Sequence, residues 1–178
     1  FLHNRNCGSD LYDLLKQEAA DRQDVAHPAL RGVVHSFDDS FQLAQRFIDG
    51  LGLYIGLNGC SLRKRENLQV AAQLPLSSLL LETDCPYCDV RPTHAGFDHV
   101  QTTFEGAKPE KKFQAGRLVK NRQEPCHIVQ VAEIVAAVQG QSLDHVAKVV
   151  LENSRALFGL PADKQRQLQR NTVDDSEE

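Results

Sequence analysis

The sequence has no methionine among its 178 residues. It therefore does not read as a complete translated frame, and the expectation is that a segment N-terminal to Phe1 was removed or left out. It has no apolar run near the roughly 20 residues needed to span a bilayer. No charged-then-apolar leader opens it either, so no membrane partner is expected. A broad basic surface is missing too: 20 Lys and Arg face 24 Asp and Glu, a net charge of -4. That argues against a module coating nucleic acid with a whole face, and leaves a polyanion only local contacts through a few cations or a metal ion. The five cysteines (Cys7, Cys60, Cys85, Cys88, Cys126) are odd in number and irregularly spaced. This argues against a secreted disulfide framework and points to the cytoplasm, the nucleus or both. There is no internal repeat.

What is present suits one globular core: 41% hydrophobic residues, 25% charged, mean hydropathy -0.40. Phe1-Leu2-His3 reads as the end of a strand. Leu11, Leu14 and Leu15 predict a helix over 10–20, with Asp10 as its N-cap. The run Gly32-Val33-Val34-His35 is a short buried strand. Leu43, Phe47 and Ile48 share one face of a helix over 41–50, closed by Gly50 or Gly52. A strand over 53–58, a short helix over 65–74 ended by Pro75, and an apolar strand over 79–84 follow. Such alternation indicates a parallel sheet of βα units. Residues 85–124 read as a long functional or partly disordered loop. Pro125 opens a helix to about Gln139, Ser142 caps another, and Gly159 ends it. The domain is expected to occupy residues 1–160, with 161–178 a polar, acidic, flexible tail.

Three apolar strands end in a metal-competent side chain: His3, His35 and Asp84. In parallel α/β barrels, functional groups collect at the carboxyl ends of several strands, where loops leave an open mouth. Imidazoles and a carboxylate from separate strands can converge there on one divalent cation. A lone histidine at a strand end is ordinarily a hydrogen-bonded core residue; three such residues in successive units weigh against that reading. An apolar run ending in Glu-Thr-Asp buries a carboxylate unless something positive compensates it. Glu82 alternates with the ligand face, which suggests an ion pair rather than ligation.

These residues carry a resemblance. Phe-Leu-His-Asn-Arg (1–5), Gly-Val-Val-His-Ser-Phe (32–37), Tyr-Ile-Gly-Leu-Asn-Gly (54–59) and Leu-Leu-Leu-Glu-Thr-Asp-Cys-Pro-Tyr (79–87) resemble successive motifs of the TatD-type metal-dependent deoxyribonucleases. Glu124-Pro125 and the closing helix at 153–158 extend the resemblance over about residues 1–160. The long loop with Thr93-His94-Ala95-Gly96 resembles the eukaryotic branch. The resemblance implies a TIM-like (β/α)8 hydrolase barrel of which this chain carries strands five to eight and the C-terminal helices. It implies DNA as substrate, phosphodiester hydrolysis of exonuclease character, and divalent ions, usually two per full site. Magnesium is favoured, with manganese or zinc open. His3, His35 and Asp84 would be metal ligands, and Asp84 could also orient or deprotonate the attacking water. Arg5 could meet a phosphate oxygen or form a salt bridge within the barrel. Asn58 could contact DNA or cap its turn. The family's His-x-His pair and bridging Glu are not in this sequence. The missing N-terminal half of the barrel thus becomes an expected partner, and this portion alone is expected to be inactive. Oligomeric state is not fixed by the sequence.

Two other readings compete. Cys85-Pro-Tyr-Cys88 is spelled like a glutaredoxin centre, but Asp89-Val90-Arg91-Pro92 is a poor helix start and that chemistry needs a helix N-terminus. Zinc binding by Cys85, Cys88 and Cys60 or Cys126 lacks a second Cys-x-x-Cys. The chain could also be a non-catalytic half-barrel, an interaction module with exposed sheet edges.

Overall fold

A computed structural model of the chain describes residues 1–21, 30–106, 117–119 and 122–160. The expected tail at 161–178 lies outside the described residues. The regular elements are β1 (Leu2–His3), α1 (Asp10–Asp21), β2 (Val33–His35), α2 (Phe41–Leu51), β3 (Tyr54–Leu57), α3 (Arg65–Gln73), β4 (Leu79–Leu81), α4 (Ile128–Gln139) and α5 (Leu143–Phe158). The four strands make one parallel sheet in the order β1-β2-β3-β4. The fold is α/β, as the alternation predicts.

Sequence dictates the helix boundaries through capping. Ser40 is extended and its Oγ accepts from the Leu43 N–H at 3.3 Å, opening α2. Ser142 does the same for α5, accepting from His145 N–H at 3.2 Å. Gly52 closes α2 at φ 66, a left-handed conformation that costs glycine little. Pro125 does not begin the α-helix directly: it starts a 3-10 turn, Pro125–His127, that runs into α4.

The strands are buried because both faces are covered. Val34, Ile55 and Leu79 of the sheet pack with Phe47 of α2 and with Val131, Ile134 and Val135 of α4, and Val33 and Leu80 are buried as well. Burying the Phe47 ring alone contributes about 1.5–3 kcal/mol. Asn153 of α5 donates to the carbonyls of Leu76 (2.9 Å) and Leu79 (2.8 Å), pinning that helix at the start of β4.

One expectation is corrected. The strand expected over 79–84 stops at Leu81. Glu82 N–H still bonds to Leu57 O at 3.0 Å, but Asp84 has φ 52, which no strand continues. The 85–124 loop, where it is described, is tied down: it contains a 3-10 turn, Ala95–His99, and a bridge between Gly106 and Leu118. Its Ala95 N–H donates to Arg63 O at 2.9 Å and its Gly96 N–H to Leu62 O at 3.2 Å.

Candidate metal centre

Register builds the site. β1 and β2 end level, with His3 opposite His35, and their imidazole centroids stand 5.6 Å apart. His35 is half-buried and fixed from behind: Nδ1 lies 2.8 Å from Oε2 of Glu82. A carboxylate only accepts, so Nδ1 donates to Glu82 and Nε2 is the nitrogen turned toward the cavity. The other Glu82 oxygen accepts from the Ser36 N–H at 2.6 Å. Both oxygens are therefore engaged inside the protein, turned away from ligation. Gly56 leaves room for this carboxyl group, since a Cβ there would stand 3.0 Å from it.

The free Nε2 of His35 faces Oδ1 of Asp84 at 3.5 Å. Asp84 arrives from beyond β4, and its backbone is left-handed, as are those of Ser36 (φ 53) and Cys88 (φ 57). Strained non-glycine residues cost about 1–3 kcal/mol each and gather at functional sites. The expectation of a buried Asp84 carboxylate needs correction: its side chain is 33% exposed against 14% for Glu82. Glu82 is the compensated buried acid.

His3, His35 and Asp84 line one cavity of about 310 Å³, together with Asn4, Arg5, Ser36, Asp38, Cys60, Arg63, Lys64, Asn67 and Cys88. Arg5 is exposed at the cavity and forms no ion pair among the described residues. Asn58 is absent from the cavity. It is fully buried, with Oδ1 accepting from the N–H groups of Cys60 (2.9 Å) and Ser61 (3.2 Å) and Nδ2 donating to Ser36 Oγ at 2.9 Å. Of the two roles expected for Asn58, the structure displays the turn cap, not the DNA contact, because its polar atoms are spent internally.

The donor set fits a divalent ion in part. Ligand atoms about 2.1 Å from one tetrahedral ion lie about 3.4 Å apart, which the His35–Asp84 separation suits. His3 reaches the cavity but stays exposed. Among the described residues no group of three or more His, Cys, Asp or Glu side chains is gathered to hold a metal. The expected three-ligand cluster is thus present as a pair with His3 beside it.

Sequence reasoning missed Arg63 and Lys64, and weighed Cys60 only as a zinc partner of Cys85 and Cys88. The signal was available: Cys-Ser-Leu-Arg-Lys follows directly on β3, and turns after parallel strands line the mouth. Cys60 is unusual. A hydrogen bond from the Cys88 thiol, working against burial, brings its pKa down to about 7. The same bond, burial and the nearby Asp84 charge push Cys88 strongly up. The Cys88 sulfur lies 3.3 Å from Asp84 Oδ2 as well, so its single S–H is shared between that oxygen and Cys60. No helix follows Cys85-Pro-Tyr-Cys88, so the glutaredoxin-like reading lacks its activating dipole.

The imidazoles of His3 and His35 and the Asp84 carboxylate lie beyond the carboxyl ends of a parallel sheet, where βα folds collect their functional groups. The family described as TatD related DNase matches residues 1–159, and the chain belongs to it. It is 42% identical over 156 residues to the deoxyribonuclease Tat-D of Schizosaccharomyces pombe, covering 86% of this chain and 47% of that protein. It is 39% identical over 159 residues to a putative deoxyribonuclease TATDN1 homolog of Encephalitozoon cuniculi, covering 89% and 51%. Among solved structures, the TatD family hydrolase of Entamoeba histolytica superposes with a TM-score of 0.77 at 34% identity, covering 87% of this chain and 48% of that one. The chain spans about half the length of the curated relatives it matches.

Proposed function

We propose that this chain supplies one side of a divalent-metal-dependent DNA phosphodiesterase, an exonuclease in character. The observation that carries the reading is the His35–Asp84 pair, 3.5 Å apart, oriented by Glu82 in a cavity rimmed by Arg5, Arg63 and Lys64. The relatives named deoxyribonucleases support DNA as the substrate. Bacterial relatives named as metal-dependent hydrolases support the metal. We assign His3, His35 and Asp84 as its protein ligands here, with magnesium favoured over manganese or zinc.

A bound divalent ion supplies Lewis acidity toward the scissile phosphate and acidifies water. The chain's own residues do the rest. His35 holds one orientation because Glu82 fixes its Nδ1 proton. Asp84 offers Oδ1 toward the cavity and can accept a proton from water there, while Cys88 steadies its second oxygen. Arg5, Arg63 and Lys64 draw the polyanion to the mouth, which an overall net charge of -4 does not do by itself.

In this reading residues 1–160 are one unit, contributing strands five to eight of a (β/α)8 barrel, and hydrolysis needs the other half. The open sheet, with β1 and β4 at its edges, favours that division and also a second reading, a non-catalytic half-barrel that docks through those edges. The test is hydrolysis of end-labelled duplex DNA with Mg²⁺ or Mn²⁺. It compares the chain alone with the chain fused to the part of the fission-yeast relative that it does not cover. We expect EDTA-sensitive cleavage by the fusion, reduced at least about 100-fold by Asp84→Asn, and little by the chain alone. A folded fusion that cleaves nothing defeats the nuclease reading. Wild-type rates from Asp84→Asn defeat the role given to Asp84.

A further inference from the structure

We infer that Cys60 and Cys88 form a reversible thiol–disulfide site on the wall of this cavity, with hydroperoxides as its oxidant. The sequence spelling pairs Cys88 with Cys85, but the fold pairs it with Cys60. Both line the cavity, and Cys85 is exposed and does not. The turn after β3 lies hard against the backbone of Cys88: a Cβ on Gly59 would stand 2.1 Å from the Cys88 carbonyl oxygen. That contact, with Cys88 held at φ 57, sets Cys88 beside Cys60, the residue after Gly59, on the cavity wall.

The chemistry balances with one equivalent of oxidant. The Cys60 sulfur attacks the peroxide, the O–O bond breaks, and the leaving oxygen departs as water or an alcohol. Cys60 becomes a sulfenic acid. The Cys88 sulfur then attacks the Cys60 sulfur, forming the S–S bond and expelling water. Two thiols lose two electrons in all, and the peroxide gains them. Cys60 takes the first role because the Cys88 sulfur is already engaged with Asp84 Oδ2. Once oxidised, Cys88 has no S–H to donate to Asp84 Oδ2. Oxidation therefore reaches a residue of the proposed metal centre, and this second consequence rests on the function proposed above.

The test treats the full chain with one equivalent of hydrogen peroxide, blocks residual thiols by alkylation, and maps unreduced peptides by mass spectrometry. We expect two of the five free thiols to disappear and a Cys60–Cys88 cross-link to appear, reversed by dithiothreitol. It should persist in Cys85→Ser and vanish in Cys60→Ser and in Cys88→Ser. A Cys85–Cys88 cross-link, or Cys60 overoxidised with the Cys88 thiol intact, overturns the proposal. Mn²⁺ titration of reduced and cross-linked chain reads the second consequence. A several-fold loss of affinity on cross-linking supports it, and equal affinity overturns the coupling to Asp84 while the cross-link stands. Absence of Mn²⁺ binding even to the reduced chain counts against the metal centre, not the thiol pair.

Discussion

The Nδ1 atom of His35 donates to Oε2 of Glu82 across 2.8 Å, and that bond decides which nitrogen faces the cavity. Glu82 accepts most closely from two N–H groups, His35 Nδ1 on one oxygen and Ser36 N on the other, with Asn58 Nδ2 a longer third at 3.4 Å. Glu82→Gln offers only one acceptor oxygen for those two donors, so one donor goes unsatisfied or the imidazole turns. We expect Mn²⁺ affinity to fall about 10–100-fold, the usual cost of losing such an orienting partner. Isothermal titration of the folded variant checks this, and an unchanged affinity removes Glu82 from the site.

How much of this was legible in the sequence depends on where the information sits. His3 and His35 were readable because each closes a short apolar run, and a run of Val or Leu specifies a buried strand without help from distant residues. The sheet order followed from the same alternation. Asp84 was readable as a candidate but not in its position, because the left-handed turn at residue 84 breaks the apolar pattern's promise of a strand to that point. Asn58 could not be resolved by pattern at all. Turn cap and ligand contact use the same amide, and only the hydrogen bonds to Cys60, Ser61 and Ser36 decide. The Cys60–Cys88 neighbourhood is likewise a product of loop packing across 28 positions, which no local spacing encodes.

Arg63 and Lys64 are exposed at the cavity rim and carry no ion pair among the described residues. Free cations at a mouth act on a phosphate backbone by displacing its counterions. The double variant Arg63→Ala with Lys64→Ala should weaken duplex binding by the fusion protein uniformly across sequences. It should also flatten the slope of log affinity against log salt by up to about 2. Fluorescence anisotropy at several KCl concentrations measures both, and an unchanged slope means that neither side chain meets a phosphate.

Gly59 packs where no side chain fits: a Cβ would meet the Cys88 carbonyl at 2.1 Å, backbone against backbone. Neither partner can yield by a rotamer change. Gly59→Ala should therefore cost about 1–3 kcal/mol and lower the Tm by several degrees. Gly106→Ala is the control, since nothing lies within 4 Å of its added methyl group. Equal Tm values for the two variants would show that the turn after β3 is free to lift away from Cys88.

Glu133, on α4, holds the 85–124 loop to the core. It is 6% exposed, and its carboxylate accepts from the N–H groups of Gln101 (2.9 Å) and Thr102 (3.1 Å) and from the Thr102 hydroxyl. Burial alone would raise its pKa. The hydrogen bonds from the Thr102 side chain and the two backbone amides outweigh that and hold it below the ordinary 4.5. The folded chain thus keeps the charge at a pH where the unfolded chain has taken up a proton. The stabilisation is complete above the unfolded value and is lost as pH falls through the folded one. Glu133→Gln should cost about 1–3 kcal/mol at pH 7, with the gap to the parent narrowing in urea denaturation below about pH 4. A gap that stays constant from pH 7 to pH 3 would trace the loss to shape and not to the carboxylate charge.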